Sequence, residues 1–470
     1  MCGISAVLNK NTHYAIYNEL YNSLLNLQHR GQESCGFITF SYLTNMNYVL
    51  KKFGLVNNYL SDVTNLKGNM GIAHVRYPTS GNTTYKEIQP FIIENNYTIS
   101  LVHNGNLTNK DELLIFLNQK SIFTESTSDS EIILHLFNYY LNTYCVEFDK
   151  KITNLLITNI IKKINNICKG SYSVIVMINN FGIVAFRDIY GIRPLVYSIT
   201  DNNITISSET VGLPNSNYHN VNNGEILIIN KNFELTKINL IDDNNESTKN
   251  SSNLVPCLFE YIYFARLESY INDILVYDFR EKIGEKVIDI LPKDITNNID
   301  IVVPVPQTSL VSATKVAHLL NKPLVHAIIK NRYLHRSFIN KDAEITKTIQ
   351  NINIIKKLVE NKNILIVDDS IVRGNTIKHI ISSILKCNAN KVYFASCSPQ
   401  IKHPNKYGIF IPNYNELIMH NMNIDKARMN LGLSGLYFLS LEKMYEALNE
   451  LNPNIKKYED SVFTGNYLNF

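Results

Sequence analysis

The pattern of apolar and polar positions differs between the two halves of the chain. Up to about residue 240, short β-rich apolar runs dominate, and longer stretches with helical periodicity interrupt them. The predicted strands include 99–103, 173–178, 204–207 and 225–229, and the predicted helices include 14–27 and 130–141. Runs of strands with a few long helices indicate a layered, sheet-based α+β domain.

After residue 253 the apolar runs alternate with helical stretches. Buried β-branched strands are predicted at 301–305, 364–368 and 391–395, and helices at 277–290, 310–320 and 376–385. This alternation predicts a parallel, doubly wound α/β sheet. Between the two patterns lies a polar stretch with no periodic apolar residues. We therefore predict a first domain over 2–240, a linker over 241–253 and a second domain over 254–470.

Composition narrows the class of protein. The 470 residues are 45% hydrophobic and 18% charged, which is typical of a globular chain with more than one domain. The formal net charge of +4 is spread without a basic arm, so we expect no nucleic-acid partner. No apolar run reaches the ~20 residues that span a bilayer, and no signal-peptide pattern is visible, so we expect no membrane association. Seven cysteines without a C-x-x-C pair favour a reducing, cytoplasmic location.

The predicted strand 364–368 runs directly into two carboxylates, Asp368 and Asp369, followed by a turn that contains Gly374. Ligands of open α/β sheets bind at the carboxyl ends of strands, and a glycine turn before a helix presents backbone N–H groups to phosphate. The two carboxylates suit ribose hydroxyls, either directly or through Mg²⁺. An ordinary turn with an aspartate N-cap is the alternative, but the longer pattern resembles the ribose-phosphate signature of type I phosphoribosyltransferases.

Two further segments suit a diphosphate ligand. Residues 303–309 follow a predicted strand and open a helix, which is a second place for backbone N–H groups to bind phosphate. The segment 330–336 carries the cations Lys330, Arg332 and Arg336. A solvated run of surface charge is the alternative for these cations. Their place between two phosphate-suited strand ends favours a loop that closes over the ligand and excludes water.

Cys2 becomes the N-terminal residue when the initiator Met1 is removed, as is common before a small second residue. Its free α-amine, with a reference pKa of ~7.7–8.0, can then serve as the general base for its own thiol. This combination attacks amides without a separate catalytic histidine. The alternative is an ordinary second residue with no chemical role.

Downstream segments supply the groups that acyl transfer from an amino-acid amide requires. The Asn104 side chain and the Gly105 N–H follow an apolar run and are candidate oxyanion donors. Arg76 can pair bidentately with an α-carboxylate. Asp129 can hold an α-ammonium group, although a helix N-cap is the alternative role. Glutamine satisfies all of these groups together.

The segments around these residues resemble a known enzyme family. Residues 1–4, 27–33, 74–79, 103–107 and 127–131 look like the glutaminase domain of N-terminal-nucleophile (Ntn) amidotransferases. A glutaminase followed by a type I phosphoribosyltransferase resembles the glutamine phosphoribosylpyrophosphate amidotransferase family, and the similarity covers nearly the whole chain. The resemblance implies an αββα-sandwich of the Ntn-hydrolase type followed by a doubly wound parallel-sheet domain.

The resemblance also implies the reaction and its residues. Glutamine, 5-phosphoribosyl 1-pyrophosphate and water would give 5-phosphoribosylamine, glutamate and pyrophosphate, the first committed step of de novo purine (IMP) biosynthesis. The implied catalytic residues are Cys2, Asn104 and Gly105, and the implied glutamine-binding residues are Arg30, Arg76, Thr79 and Asp129. The implied phosphoribosyl pyrophosphate-binding residues are Thr308, Ser309, Lys330, Arg332, Tyr333, Asp368, Asp369, Ser370, Arg373, Gly374, Asn375 and Thr376. One Mg²⁺ per subunit is implied at Thr308, Asp368 and Asp369.

Regulation, assembly and cofactors also follow from the resemblance. It implies a homotetramer and feedback inhibition by purine nucleotides. One branch of the family carries a [4Fe–4S] cluster, which needs four thiolates, but Asn405 and the stretch 460–465 lack the ligands of that branch, so we expect no cluster. The loop at 340–350 is shorter and less basic than the family pattern. Gln307 also replaces a usual Glu, and Asn375 replaces a common Thr.

Two alternative functions stay open at this point. A non-catalytic regulator with a decayed fold would bind the same ligands, but retention of the candidate catalytic residues argues against it. A glutaminase joined to a different acceptor domain would resemble sugar-phosphate or asparagine-forming relatives. Those relatives use unrelated synthase domains, which the segment 367–374 opposes.

Overall fold

A computed structural model describes residues 1–77, 84–147, 151–241, 253–330, 352–411 and 413–469 of the chain. The first half folds into strands that pair antiparallel. They are β1 (Gly3–Asn9), β2 (Ser34–Ser41), β3 (Met46–Phe53), β4 (Met70–Arg76), β5 (Phe91–Glu94), β6 (Thr98–Leu107), β7 (Gly170–Ile178), β8 (Gly182–Arg187), β9 (Val196–Ile199), β10 (Asn203–Ser207), β11 (His219–Asn220), β12 (Glu225–Asn230) and β13 (Leu235–Asn239).

These strands form two sheets that pack face to face. The first sheet has the order β11-β9-β10-β1-β4-β2-β3, and the second has the order β13-β12-β8-β7-β6-β5. Ile4, Ile38 and Ile72 of the first sheet lie in one buried apolar cluster with Val102 and Ile175 of the second. The interior between the sheets is therefore a packed apolar core.

Helices cover the outer face of each sheet. The helix Tyr17–Asn26 packs on β1 and β4. The helix Asp129–Glu147 packs on β5 and β6 of the second sheet, and the helix Asn154–Ile167 packs on Asp129–Glu147. Because both faces of the sheets are covered, strands such as β1 and β7 are buried along their whole length and show no polar alternation. This arrangement confirms the predicted αββα-sandwich. Shorter helices of this half are Leu60–Val63 and Lys110–Gln119.

The second half contains the predicted parallel sheet. The strands of this half are β14 (Tyr270–Ile271), β15 (Ile274–Leu275), β16 (Ile301–Pro304), β17 (Ile328–Lys330), β18 (Ile352–Ile354), β19 (Asn363–Asp368), β20 (Lys391–Ser396) and β21 (Gly435–Phe438). The parallel sheet has the order β16-β19-β20-β21, while β14–β15 and β17–β18 are separate antiparallel pairs. Alternate residues of the central strands enter two different apolar clusters, so both faces of the sheet are covered, as in a doubly wound fold.

Helices of the second half follow the apolar periodicity of the sequence. The helix Asn375–Lys386 buries Ile377, Ile380, Ile381 and Ile384 on one face, which is the spacing of an amphipathic helix. The other helices are Val276–Ile288, Lys293–Asn298, Leu310–Leu319, Lys356–Val359, Ile418–Asn421, Ile424–Leu431, Leu441–Leu451 and Ser461–Thr464, with a single turn of π-helix at Glu260–Phe264. Among the residues described, none of these or the earlier helices is long and apolar enough to cross a bilayer.

The two halves meet in a shared apolar cluster. Met1 and Ile192 pack there with Cys257 and Leu258 of the second half, and all four side chains are buried. The boundary predicted at 241–253 stays a prediction, because 242–252 fall outside the described residues.

Candidate active sites

Hydrogen bonds hold the main chain of Cys2 at both its nitrogen and its carbonyl oxygen, just before β1 begins. Its backbone N–H donates to Asn104 Oδ1 over 3.2 Å, and its carbonyl accepts from Arg30 Nε over 3.0 Å. The antiparallel pairing of β1 with β4 brings this end of β1 beside Arg76, the last residue of β4. The Cys2 thiol is half-buried and free. The structure therefore brings together a nucleophile and two of the side chains predicted to serve it.

Asn104 and Gly105 lie near the end of β6, in register with β7. The Asn104 side chain is buried, and its Nδ2 has no hydrogen-bond partner among the described residues. A buried amide donor without a partner is costly, so its presence beside a nucleophile indicates a ligand that accepts from it. At Gly105 an added Cβ would lie 2.0 Å from the Ser171 carbonyl oxygen, so only glycine fits this close approach.

Arg76 is already engaged by a carboxylate. Its Nη2 donates to Glu87 Oε2 over 2.7 Å. Burial acts to raise the pKa of Glu87, but hydrogen bonds from Thr127 and Arg76 outweigh burial and hold that pKa below its usual value. The guanidinium beside Cys2 is therefore held in a geometry that suits a carboxylate partner. Thr79, predicted to lie nearby, falls outside the described residues.

Asp129 presents an ionised carboxylate next to β6. Its Oδ2 accepts from the Leu107 N–H over 2.9 Å, and its Oδ1 lies 3.7 Å from His103 Nδ1. Burial acts to raise the pKa of Asp129, but His103 and the Leu107 N–H outweigh it and lower the pKa. Although Asp129 is the first residue of its helix, its shorter contact is with the strand that carries Gly105. This placement suits an α-ammonium group near the oxyanion donors.

Arg30 lies behind Cys2 with no exposed surface. Its guanidinium pairs with Glu209 and with Glu260, the latter over 2.8 Å, while its Nε donates to the Cys2 carbonyl. Burial acts to lower the pKa of Arg30, but the two carboxylates outweigh it and raise that pKa. Its donors are therefore occupied by the protein. This placement argues against the predicted direct contact of Arg30 with glutamine and favours a role in holding the main chain of Cys2.

The second site lies where β19 and β16 end side by side. Asp368 and Asp369 are buried there, and the hydroxyls of Thr308 and Ser370 donate to Asp369, the Ser370 contact spanning 2.7 Å. Burial raises the pKa of both aspartates, and the neighbouring Asp369 charge raises that of Asp368 further. Two adjacent buried carboxylates thus lie at the carboxyl end of a parallel sheet, where ligands of this fold class bind.

The few donors at this site suit Mg²⁺, which takes most of its ligands from water and substrate, better than a metal whose ligands are all protein side chains. Burial raises the pKa of Asp368 and Asp369, and a divalent cation would offset the cost of their buried charge. Within the described ranges, no group of three or more His, Cys, Asp or Glu side chains is placed to hold a metal. Mg²⁺ commonly takes one or two carboxylates and completes its coordination with waters and substrate phosphates. The donor set at Thr308, Asp368 and Asp369 is therefore appropriate.

The turn after Asp369 leads into the helix Asn375–Lys386 through Gly374. Gly374 has φ +80°, and an added Cβ would lie 2.8 Å from the Ile418 side chain, so the turn requires glycine. Asn375 and Thr376 are exposed at the helix N-terminus, where backbone N–H groups suit a phosphate. Arg373 points elsewhere, since its Nε donates to Glu416 over 2.6 Å.

The structure describes two of the remaining residues predicted to bind phosphoribosyl pyrophosphate and leaves two outside the described ranges. Ser309 is buried and its hydroxyl donates to the Val305 carbonyl over 2.6 Å. Lys330 ends β17. Arg332 and Tyr333, with the altered loop at 340–350, fall outside the described residues.

Comparison with known proteins decides the family. The sequence model described as "Glutamine amidotransferase domain" matches residues 79–215, and the one described as "Phosphoribosyl transferase domain" matches residues 277–401. An amidophosphoribosyltransferase of Escherichia coli (strain K12) is 37% identical over 490 residues, which cover 100% of this chain and 92% of that protein. The chain belongs to the amidophosphoribosyltransferase family.

Matches to other amidophosphoribosyltransferases support the same family assignment. The Saccharomyces cerevisiae protein is 33% identical over 487 residues, covering 100% of this chain and 92% of its own. A solved glutamine phosphoribosylpyrophosphate amidotransferase from B. subtilis, complexed with ADP and GMP, matches with a TM-score of 0.81 at 28% identity and covers 99% of this chain and 97% of its own. Family membership confirms the predicted fold class, enzyme class and reaction. The phosphoribosyltransferase match excludes the alternative with an unrelated acceptor domain.

A buried polar network lies behind the predicted nucleophile, and no sequence motif pointed to it. Glu209 accepts from His29 Nε2 over 2.7 Å and from Arg30, and Glu260 lies between Arg30 and Arg193. All except His29 are buried. The signal that could have identified Glu260 is a lone carboxylate inside the apolar run 257–264. Its partners come from distant parts of the chain, so spacing alone gave no reason to connect them.

Proposed function

We propose that this member of the amidophosphoribosyltransferase family releases ammonia from glutamine at Cys2 and uses it to displace pyrophosphate from 5-phosphoribosyl 1-pyrophosphate at Asp368 and Asp369. The observation that carries the first half is the dual use of Asn104: its Oδ1 accepts from the nitrogen of Cys2 while its buried Nδ2 has no partner among the described residues. One side chain thus orients the nucleophile and offers a donor to the oxyanion.

The glutaminase step starts after Met1 is removed. The nitrogen of Cys2 is then an α-amine, which takes the thiol proton as Sγ attacks the side-chain amide carbon of glutamine. The carbonyl oxygen becomes an oxyanion that accepts from Asn104 Nδ2 and the Gly105 N–H. The C–N bond breaks, the α-amine returns the proton and ammonia leaves. Water then hydrolyses the thioester to glutamate and restores the thiol.

The ends of glutamine are assigned to Arg76 and Asp129, and Thr79 stays a glutamine-binding residue implied by the resemblance. The α-carboxylate would pair with Arg76 in the place that Glu87 occupies, and the α-ammonium would lie against Asp129. The low pKa of Asp129 keeps it ionised at neutral pH, which supports this assignment. Arg30 would act behind the site by holding the Cys2 carbonyl.

At the acceptor site, Thr308, Asp368 and Asp369 would hold Mg²⁺, one per subunit. When bound there, Mg²⁺ neutralises charge on the departing pyrophosphate. Ammonia attacks C1 of the ribose as the C1–oxygen bond breaks, and a proton is lost from the new amine. The turn from Ser370 to Thr376 would bind the 5-phosphate through backbone N–H groups, with Asn375 and Gly374 shaping it.

Further residues and properties belong to the same proposal. Ser309, Lys330, Arg332 and Tyr333 would lie on the pyrophosphate side, and Arg373 would release Glu416 to reach the phosphate. We also propose inhibition by purine nucleotides, because the B. subtilis relative is complexed with ADP and GMP. A cytoplasmic homotetramer belongs to the proposal through the family resemblance. An iron–sulfur cluster is not proposed, since Asn405 accepts from the Tyr407 and Ile409 N–H groups and serves the fold.

The proposal is tested by separating the two half-reactions. Glutamate and pyrophosphate release are measured with glutamine and then with ammonium chloride as the nitrogen source. Cys2→Ala is expected to abolish the glutamine-dependent reaction and to keep the ammonia-dependent one. Absence of pyrophosphate release with either nitrogen source in the unmodified chain would reject the proposal.

A further inference from the structure

Glu260 reaches the glutaminase site from the second half of the chain. It lies in the single π-helical turn Glu260–Phe264 and is 1% exposed. Its Oε1 and Oε2 accept from the Arg30 guanidinium over 2.8 and 3.2 Å, and Oε1 lies 3.4 Å from Arg193 Nη1. A residue of one domain thus binds two buried arginines of the other.

Glu260 contacts Arg30, and Arg30 in turn contacts Cys2, so a single side chain separates Glu260 from the proposed nucleophile. Arg30 Nε donates to the Cys2 carbonyl over 3.0 Å, and among the described residues the other hydrogen bond of the Cys2 main chain is the one to Asn104. Loss of Met1 removes the covalent anchor on the nitrogen side of Cys2. The non-covalent contacts then carry more of its positioning, and Glu260 fixes the direction of the guanidinium that makes one of them.

Through Arg193, Glu260 is also connected to the oxyanion strand. Arg193 Nε and the Ser171 hydroxyl both donate to the Tyr407 carbonyl over 2.8 Å. The same Ser171 hydroxyl accepts from the Asn106 N–H over 3.3 Å, one residue after Gly105. Both halves of the glutaminase machinery, the nucleophile and the oxyanion donors, are therefore in contact with one buried network that includes the second domain.

Charge balance makes this network sensitive to Glu260. Two guanidiniums, Arg30 and Arg193, are neutralised by two carboxylates, Glu209 and Glu260, and all four side chains are buried. Removing one carboxylate leaves a buried cation without full compensation, which forces the guanidiniums to shift or to draw in other acceptors. Without the Glu260 carboxylate, Arg30 would keep Glu209 and the Cys2 carbonyl as its acceptors.

We infer that Glu260 is a positioning residue for the glutaminase reaction, acting through Arg30 on the main chain of Cys2 and through Arg193 on the oxyanion strand. The inference rests on the proposed role of Cys2. It adds that the second domain supplies part of the framework that holds the glutamine site in its active geometry.

The same charges act on the N-terminal amine of the chain. With Met1 present, burial together with the charges of Arg30 and Arg193 lowers the pKa of this amine to about 4, and Cys2 and Glu260 oppose that lowering. Glu209, which contacts His29, and the buried Glu459, which interacts with Arg193, are further carboxylates around this network. Neutralising Glu260 removes a charge that favours the protonated amine, so the amine should titrate at lower pH in that variant.

The test compares Glu260→Gln and Glu260→Asp in the full chain with the unmodified enzyme. We expect Glu260→Gln to lower kcat for glutamine at least tenfold, to leave ammonia-dependent kcat within twofold, and to move the acidic limb of the glutamine pH profile to lower pH. Glu260→Asp keeps the charge but shortens the reach, so kcat should fall while the acidic limb stays in place. Equal losses with glutamine and ammonia, or no loss with either, would overturn the inference.

Two controls make the result specific. Glu225→Gln neutralises another buried carboxylate, one that accepts from the Asn222 N–H over 2.6 Å, and should leave both activities unchanged. If Glu225→Gln lowers glutamine activity as Glu260→Gln does, the effect is general destabilisation and the inference fails. Cys2→Ala is assayed in parallel: glutamine activity that survives it rejects the role of Cys2 itself, which is a failure of the proposed function and is distinct from the outcomes for Glu260.

Discussion

Asn104 holds Cys2 with one end of its side chain and leaves the other end available. Its Oδ1 accepts from the Cys2 nitrogen over 3.2 Å, and its buried Nδ2 has no partner among the described residues. In the proposed reaction, this single amide would both orient the nucleophile and stabilise the charge that develops on the substrate. The tightly packed strand β6 fixes this amide, because Asn104 and the following Gly105 pair in register with Ser173 and Tyr172 of β7.

Replacing this amide should affect only the glutamine-dependent reaction. In Asn104→Ala the oxyanion loses a donor, so kcat with glutamine should fall by about 10²–10³-fold. Ammonia-dependent pyrophosphate release should be unchanged, since it does not involve Cys2. Asn142→Ala, which removes an amide that donates to Asn138 on a helix, is the matched control. Equal glutamine activity in Asn104→Ala and the unmodified enzyme would contradict the assigned role.

Gly408 of the second half packs against the backbone of Gly105. It has φ +97°, and an added Cβ would lie 2.9 Å from the Gly105 carbonyl oxygen. Gly408→Ala should therefore displace the oxyanion strand and lower glutamine-dependent kcat, while the left-handed backbone costs ~1–2 kcal/mol of stability. The measurements are steady-state kinetics with both nitrogen sources and thermal unfolding.

The matched control for this substitution is Gly432→Ala. Gly432 also has a left-handed backbone, φ +74°, but the nearest atom to an added Cβ is 3.6 Å away, on Leu385. Both variants should lose a similar amount of stability, and only Gly408→Ala should lose glutamine activity selectively. Selective loss in Gly432→Ala as well would show that the effect does not come from the contact with Gly105.

We predict that the ionised carboxylate of Asp368 destabilises the folded chain at neutral pH, although the acceptor reaction requires it. A carboxyl group with a raised pKa in the folded chain binds its proton more tightly there, so stability decreases as pH rises from ~3.9 through the raised pKa. At pH 7.5, Asp368→Asn removes this penalty and should raise Tm by roughly 1 °C per kcal/mol relieved in a chain of 470 residues. Pyrophosphate release with ammonia should fall sharply. A lower Tm at pH 7.5, with Tm differences that do not shrink below pH 4, would contradict the assignment.

Removal of Met1 should be complete in the active enzyme. In a chain that keeps Met1, the nitrogen of Cys2 is part of a peptide bond and cannot act as a base. The Met1 side chain is buried, and burial lowers the pKa of the Met1 amine. Intact-mass measurement of the purified chain is expected to show loss of Met1. Full glutaminase activity in a preparation that retains Met1 would contradict the proposed base.

Much of the fold could be predicted because local patterns agree with it. The helix predicted at 376–385 is observed as Asn375–Lys386, since its isoleucines recur at helical spacing. The predicted strand 364–368 is observed as Asn363–Asp368, because its continuous run of buried apolar residues suits a central strand that is covered on both faces. The helix Asn154–Ile167 was absent from the predicted elements. Its isoleucine-rich composition favours strands as much as helices until packing decides.

The candidate site was predictable where short motifs carry the chemistry and unpredictable where contacts are long-range. Asn104, Asp129 and Asp368 stand in motifs that the sequence displays directly. The buried position of Arg30 depends on Glu209 and Glu260, which are far from it in the chain, and no spacing rule connects them. A charged motif residue was therefore assigned to the substrate when its partners are carboxylates of the protein.

The central claim is that this chain transfers the amide nitrogen of glutamine to phosphoribosyl pyrophosphate. The most direct measurement supplies amide-¹⁵N glutamine together with unlabelled ammonium and follows the label in phosphoribosylamine, alongside pyrophosphate release. The account predicts phosphoribosylamine enriched in ¹⁵N in the unmodified enzyme and unlabelled product in Cys2→Ala. Pyrophosphate release without ¹⁵N in the product of the unmodified enzyme would contradict it.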